Sequence, residues 1–430
     1  PRVQTIARLS SPGRQAMKSI TIDTAPTKSG ERYVIMDVLR GFALFGVLVM
    51  NVSDFGSEGI LATEEQLAAL PNADIDAGVL MGLKILVTDK ANTLFALLFG
   101  LGFWVQMERL EARGAPFRSI YLRRSGILLV IGALHWVLFA FDILHIYAVV
   151  AFILLFCRNL SDRMLLIIGL ILFLFAAPVT QLLLGATGIL DAGLSIAFAE
   201  DAILRRQEVA LSGSFSEWIA VMTHWQIYLF FVGGLIFGWL LYVIGRFFIG
   251  AWLARQGWIQ NAPIYLPKFK KYLAPLLFSG LVLEVLAQIL KAQPDGAWFG
   301  LAELLAMFLH AFATPLIAAG YICALVAIFH GSSYSWVVKP FAQVGQMALT
   351  NYLCQTIIIL LIFTNIGPGL GLAGNTGQGA LVIISVIAFA AQVILSHFWM
   401  KNFSYGPAEW VWRSLTYGTI PKFRRLPAEA

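Results

Sequence analysis

The chain has 430 residues, 59% of them hydrophobic and 13% charged, with a mean hydropathy of +0.78. These values exclude an ordinary soluble domain and fit a polytopic membrane protein. The net charge of +6 does not point to nucleic acid, because the basic residues fall between apolar spans as the positive-inside rule expects.

Residues 1–32 are polar and basic, lack an apolar h-region, and read as a disordered cytoplasmic arm, not a signal peptide. The first span, Tyr33 to Asp54, carries Asp37, Arg40 and Asn51 inside an apolar run. Ionisable groups at membrane depth cost about 2.5 kcal/mol or more, so this face looks into the protein. Asp37 and Arg40 are three apart and pair on one helix face. Residues 54–78 are acidic and face outside. A second span covers Asn92 to Met107, after an interfacial segment holding Lys84, Asp89 and Lys90. An inside loop with Arg109, Arg113 and Arg118 leads to span three, Tyr121 to Phe141, and a short turn at Asp142 to span four, Ile143 to Phe156.

Span five runs from Met164 to Leu184. Residues 185–222 are mixed in charge and form an outside insertion; span six follows over Thr223 to Phe248, then an inside loop at 249–271. Span seven, Tyr272 to Leu290, holds Glu284. Span eight, Phe299 to Phe329, is overlong, is interrupted by Pro315, and carries Glu303 and His310. Span nine, Phe341 to Phe363, contains Gln346, Thr350, Asn351 and Gln355, and span ten is Ala380 to Met400. The expectation is an all-α polytopic membrane protein: about ten transmembrane helices over 33–400, a cytoplasmic tail at 401–430, and both termini cytoplasmic. Cys157, Cys323 and Cys354 lie in apolar spans without metal-ligand spacing, and there is no HExxH or P-loop. No metal and no nucleic-acid partner is expected; the bilayer is the partner, and a homodimer is compatible with the sequence.

Arg40 and Asn51 are eleven apart, about three turns, and Arg124 and His135 repeat that spacing on span three. Each helix puts a cation near the inner leaflet and a polar group further out on the same face. Converging faces would line a cavity with an Arg end suited to phosphate or carboxylate and a His end suited to proton abstraction. The plainer reading makes Arg123 and Arg124 positive-inside anchors and His135 a satisfied interior histidine. Asp142 can orient His135 if the helix persists to it, or else cap span four. His145 reads as a packing residue beside the turn or as part of the polar lining. Asn351 and Gln355 share a face, either as interhelical glue or as site lining. Glu284, Glu303 and His310 read as a proton relay or as partners of arginines elsewhere.

Several motifs resemble the YeiB-like membrane proteins, a family without assigned function. They are Asp37-Val-Leu-Arg-Gly-Phe-Ala-Leu-Phe-Gly with Asn51, Leu94-Phe-Ala-Leu-Leu-Phe-Gly-Leu-Gly after Lys90, Gly132-Ala-Leu-His, and Asp142-Ile-Leu with Tyr147. The C-terminal part adds Gly345-Gln-Met-Ala-Leu-Thr-Asn-Tyr-Leu with Gln355, Ser396-His-Phe-Trp and Tyr405-Gly-Pro-Ala-Glu-Trp-Val-Trp-Arg. The first-span pattern is also similar to that of heparan-α-glucosaminide N-acetyltransferase-like transmembrane acyltransferases. In many related acyltransferases a catalytic His stands where this chain has Asn51.

The family by itself gives no reaction; the leading expectation, from the acyltransferase-like first span together with the matching Arg124/His135 spacing, is an acyl transfer across a bacterial cytoplasmic (inner) membrane. Acetyl-CoA or another acyl-CoA would be the donor, held by Arg40, Arg123 and Arg124, with Asp37 beside Arg40. His135 would be the base on an outside acceptor, Asp142 its orienter, and Asn51 the oxyanion donor, with His145, Glu303, His310, Asn351 and Gln355 as polar lining. The alternatives are a small-solute transporter or flippase and a non-catalytic subunit of a membrane complex.

Overall fold

A computed structural model describes residues 33–139, 141–293 and 299–425. The expected arm at 1–32 and the end of the expected tail, 426–430, lie outside the described residues. The chain is an all-α, multi-pass membrane protein, and among the described residues β-structure is limited to two isolated bridges. Among the described residues eight candidate spans are long and apolar enough to cross a bilayer, and a bent pair brings the number to nine.

The first span is α1 (Val34–Phe55). After a short α2 (Glu64–Ala68), α3 (Ala73–Leu86) and α4 (Lys90–Ala112) form one long, broken span. The break falls at Asp89, whose φ of 63° is the one left-handed value at a non-glycine among the described residues. Then come α5 (Phe117–Leu138), α6 (Leu144–Phe156) and α7 (Asp162–Ala186). Three short helices, α8 (Ile189–Ala197), α9 (Glu200–Ser212) and α10 (Phe215–Gln226), make up the insertion. Buried Arg206 of α9 donates to the carbonyls of Gly59 and Ile60, both at 2.9 Å, fixing the insertion to the loop after α1.

The second half contains α11 (Leu235–Gln256), α12 (Ala262–Lys291) and α13 (Phe299–Gly331). It continues with α14 (Ser335–Val338), α15 (Phe341–Gln346) and α16 (Ala348–Phe363), and ends with α17 (Gln378–Asn402) and the amphipathic α18 (Pro407–Tyr417). The chain turns by 88° between α14–α15 and α16. We call the side where α1 begins the near face and the side where it ends the far face.

α1 is the most enclosed span, packed against α4, α15, α16 and α17. Its crossing with α15 is backbone on backbone. A Cβ on Gly41 would strike the Phe341 carbonyl, and one on Gly345 would strike the Asp37 carbonyl. Small residues permit this approach where apolar burial supplies no driving force between helices.

Three expectations about the spans change. Ile143 to Phe156 is not a full crossing: α6 has 13 residues, about 20 Å, against a core of about 30 Å. Thr223 to Phe248 is not one helix. A π-helical turn, Ile227–Val232, ends at Gly233–Gly234, and Gly234 adopts φ 72° immediately before α11. That shift carries α11 on to Gln256, into what reads from sequence as an inside loop. α13 runs unbroken through Pro315.

Candidate functional site

Two cavities in the bundle share Tyr352 as a lining residue. The near one, about 210 Å³, is lined by Arg40 of α1, Gln106 of α4, Arg124 of α5, Gln346 and Tyr352 around the bend, and Glu409 of α18. Arg40 pairs with buried Asp37 at 3.3 Å, as the i, i+3 spacing predicts. Arg124 lies over the Trp412 indole, 3.7 Å from the ring centroid, while Trp412 Nε1 donates to the Arg124 carbonyl at 2.9 Å. The stacking holds a cation against the cavity without neutralising it. Arg123, expected beside them, is exposed and lines neither cavity, because the next residue along a helix points about 100° away.

Glu409 lines the near cavity and caps α16. Its carboxylate accepts from the backbone N–H groups of Leu349 at 2.6 Å and Thr350 at 3.2 Å, and from the Thr350 hydroxyl at 2.6 Å. Burial pushes this carboxyl above its ordinary pKa, against those hydrogen bonds. A raised carboxylate pKa gives stability that is complete below the unfolded-state value and is lost as pH rises through the folded one. Glu409→Ala should therefore cost about 1–2 kcal/mol through loss of the cap. Glu409→Gln keeps an accepting oxygen and cannot ionise, so its melting temperature should gain on wild type as pH rises toward neutrality. Thermal melts in detergent across pH check both.

The far cavity, about 430 Å³, is lined by Asn51 and Asp54 of α1, Asp89 and Asn92 around the α3–α4 break, Trp239, Tyr242 and Arg246 of α11, and His310 of α13. Tyr352 lines both cavities and is part of the wall between them. Its hydroxyl accepts from the Ile143 N–H at 3.2 Å and donates to the Phe141 carbonyl at 3.4 Å, which ties the wall to the turn between α5 and α6.

One side of the far cavity is an ion cluster. His310 Nδ1 lies 3.0 Å from both Glu284 oxygens and its Nε2 lies 3.1 Å from Asp89. With a carboxylate at each nitrogen both must donate, so the ring is an imidazolium. Lys90, fully buried like Glu284, lies 3.0 Å from it. Two carboxylates, an ammonium and an imidazolium balance. Asp89 holds its place in this cluster with a left-handed backbone, and such outliers gather at functional sites.

Asp142 holds two imidazoles. His135 Nδ1 lies 2.7 Å from one carboxylate oxygen; His145 Nδ1 at 2.6 Å and its backbone N–H at 3.0 Å reach the other. This assigns Nδ1–H to both rings, and His135 Nε2 then accepts from the Thr356 hydroxyl at 2.7 Å. His145 is thus a second ring on the same carboxylate, more than a packing residue. The pairing of Asp142 with His135 is present, but both His135 nitrogens are engaged and the ring lines neither cavity. His135 bonds Asp142 and Thr356 and packs on the Tyr352 ring, behind the wall that Tyr352 forms between the two cavities.

Asn351 and Gln355 line neither cavity. Asn351 bonds the Val344 carbonyl and Ser396, and Gln355 bonds the Leu44 carbonyl and Gln392, so they join α1, α15, α16 and α17. Glu303 is exposed, two turns outward from His310 and beyond the cavity. Among the described residues no group of three or more His, Cys, Asp or Glu could hold a metal ion. Sequence reasoning missed Arg246 and gave Asp54 and Glu409 no role. For Arg246 a signal existed: it is the lone charge in Leu235-Ile-Phe-Gly-Trp-Leu-Leu-Tyr-Val-Ile-Gly-Arg-Phe-Phe-Ile-Gly-Ala-Trp-Leu.

A family model described as "Protein of unknown function (DUF418)" matches residues 253–419. The uncharacterised protein YxaH of Bacillus subtilis (strain 168) is 31% identical over 421 residues, covering 91% of this chain and 96% of YxaH. The uncharacterised protein YeiB of Escherichia coli (strain K12) is 33% identical over 396 residues, covering 90% and 96%.

Proposed function

We propose a transmembrane acyl transfer for this chain, which belongs to the DUF418 family. The observation that carries the reading is the pair of cavities that meet at Tyr352, one lined by arginines and the other by Asn51 and carboxylates. The near face is taken as cytoplasmic, because the loops and tail on that side carry most of the Lys and Arg. An acyl-CoA enters there, its phosphates or polar arm meeting Arg40 and Arg124, and its thioester reaches Tyr352. An acceptor hydroxyl or amine enters the far cavity.

Asp54 is one turn beyond Asn51 on α1 and lines the far cavity, and among the described residues no ion pair or side-chain hydrogen bond holds its carboxylate. It takes the acceptor proton as the acceptor oxygen or nitrogen bonds to the thioester carbon. Asn51 donates to the oxyanion, usually a large part of the rate gain in acyl transfer. The carbon–sulfur bond then breaks, and coenzyme A leaves as a thiolate that is protonated from water. Asp142, His135 and His145 are positioning residues for the Tyr352 wall.

The test uses purified protein in nanodiscs with labelled acyl-CoA of several chain lengths. Wild type should bind donor and release coenzyme A when acceptor is present. Arg124→Ala should weaken donor binding about ten- to a hundredfold, as loss of a hydrogen bond to a charged group does. Wild type that neither binds any acyl-CoA nor releases acyl groups at any pH would rule the reading out. The broken α3–α4 span and the bent α15–α16 pair favour a second reading, solute transport, since discontinuous helices often build transport sites. Flux in proteoliposomes without acyl-CoA, lost in His310→Ala, would select it.

A further inference from the structure

We infer that the far cavity is an anion site, and that its occupant is a small hydroxy or amino compound whose carboxylate or phosphate docks on Arg246. This rests on the acyl-transfer reading only in making that occupant the acyl acceptor. Arg246 is the twelfth of 22 residues in α11, near the middle of a span, and is 1% exposed. Its guanidinium carbon lies 3.4 Å from the Tyr242 ring centroid and 5.4 Å from that of Phe173. Nε and Nη2 are buried and have no hydrogen-bond partner among the described residues. A permanently charged group in that state costs several kcal/mol, so a partner is expected wherever there is room for one. The room is the far cavity, which Arg246 lines.

The protein's own carboxylates do not fill that role. Asp89 is taken by His310, and Asp54 makes no ion pair with Arg246 among the described residues. With the Asp89–His310–Glu284–Lys90 cluster neutral in itself, Arg246 and Lys291 bring two positive charges to the cavity against the one carboxylate of Asp54, a surplus of one. Tyr242 covers one guanidinium face, leaving the donor edge, whose planar fork matches a carboxylate or phosphate. Trp239, Phe230 and Phe141 supply apolar wall, and Asn51 and Asp54 supply polar contacts for a hydroxyl or amine. A volume of about 430 Å³ suits a small metabolite or a lipid headgroup.

The test is a melting-temperature titration of the full chain in nanodiscs with no acyl donor. The probes are sn-glycerol 3-phosphate and 3-hydroxybutyrate, against the neutral glycerol and 1,3-butanediol, each in discs of neutral lipid and of lipid containing phosphatidylglycerol. An anionic probe should raise the wild-type melting temperature saturably and its neutral counterpart should not. A shift produced by the anionic lipid alone would identify a headgroup as the source of the anion. Arg246→Lys should weaken the response about tenfold and Arg246→Gln should abolish it. Should Arg246→Gln fail to fold, Ala177→Phe, which fills the cavity and keeps the guanidinium, should block the response instead. No shift with any anionic probe or lipid, or an equal shift in Arg246→Gln or Ala177→Phe, overturns the site. Because no donor is present, that failure leaves acyl transfer standing, whereas intact anion binding without acyl release would remove the transfer and keep the site.

Discussion

Lys90→Met should destabilise the bundle by about 3–5 kcal/mol, the usual cost of removing one member of a buried ion pair. Lys90 Nζ has two partners, a Glu284 oxygen at 3.0 Å and the Lys84 carbonyl at 2.9 Å. Without the ammonium, Glu284 keeps His310 and Gln288, yet the fully buried Glu284 then shares a single imidazolium with the part-exposed Asp89. The loss should reach beyond the pair. Asp89 is left-handed because the α3–α4 break holds it against His310, so a weakened cluster should loosen the break itself. Adding Glu284→Leu to Lys90→Met removes the stranded charge and should recover a clear part of the loss. Equilibrium unfolding in mixed detergent micelles measures all three variants. A cost below about 1 kcal/mol for the single variant would mean that the ammonium is solvated and the cluster open.

The parts of this organisation that the sequence discloses depend on how each residue advertises itself. Asp37, Arg40 and Asn51 stand out because they are polar in a run that must be apolar, and helical spacing alone puts Asp37 and Arg40 in contact. The near cavity was half legible: Arg40 and Arg124 could be aligned from their spacing to Asn51 and His135, whereas Glu409 reaches the cavity from a helix 285 residues further along than Arg124, a distance no periodicity spans. Arg246 was hidden by a boundary. Hydropathy runs unbroken from Thr223 to Phe248, so the window settles early and leaves Arg246 at an apparent membrane edge. The true start of α11 is marked only by Gly233–Gly234, which costs nothing on a hydropathy scale but ends a helix through a left-handed φ. Glu303 and His310 show the reverse error. Both are polar at helical spacing in one span, and only the depth of the neighbouring helices decides that His310 is enclosed and Glu303 is not.

Asp54→Asn should lower the rate of acyl transfer by about 10²–10⁴, the range a positioned general base contributes, and leave donor affinity unchanged. The separation of effects follows from the two cavities. Asp54 lines the far one alone, and Arg40 and Arg124 the near one alone. Asn is close to Asp in size, so packing beside Asn51 is retained and the lost property is proton acceptance. His135→Ala supplies the contrast. That ring touches neither cavity but braces Asp142 and Thr356, so its removal should act through the Tyr352 wall, changing stability and donor affinity together. The pH profile separates the roles more sharply than the rate does. Wild-type transfer should fall on the acid side as the Asp54 carboxylate is protonated, Asp54→Asn should lose that limb, and His135→Ala should keep it. A wild-type acid limb that survives in Asp54→Asn and vanishes in His135→Ala would return the base to the imidazole, and would require a path from its Nε2 to the far cavity that the Thr356 hydroxyl now closes.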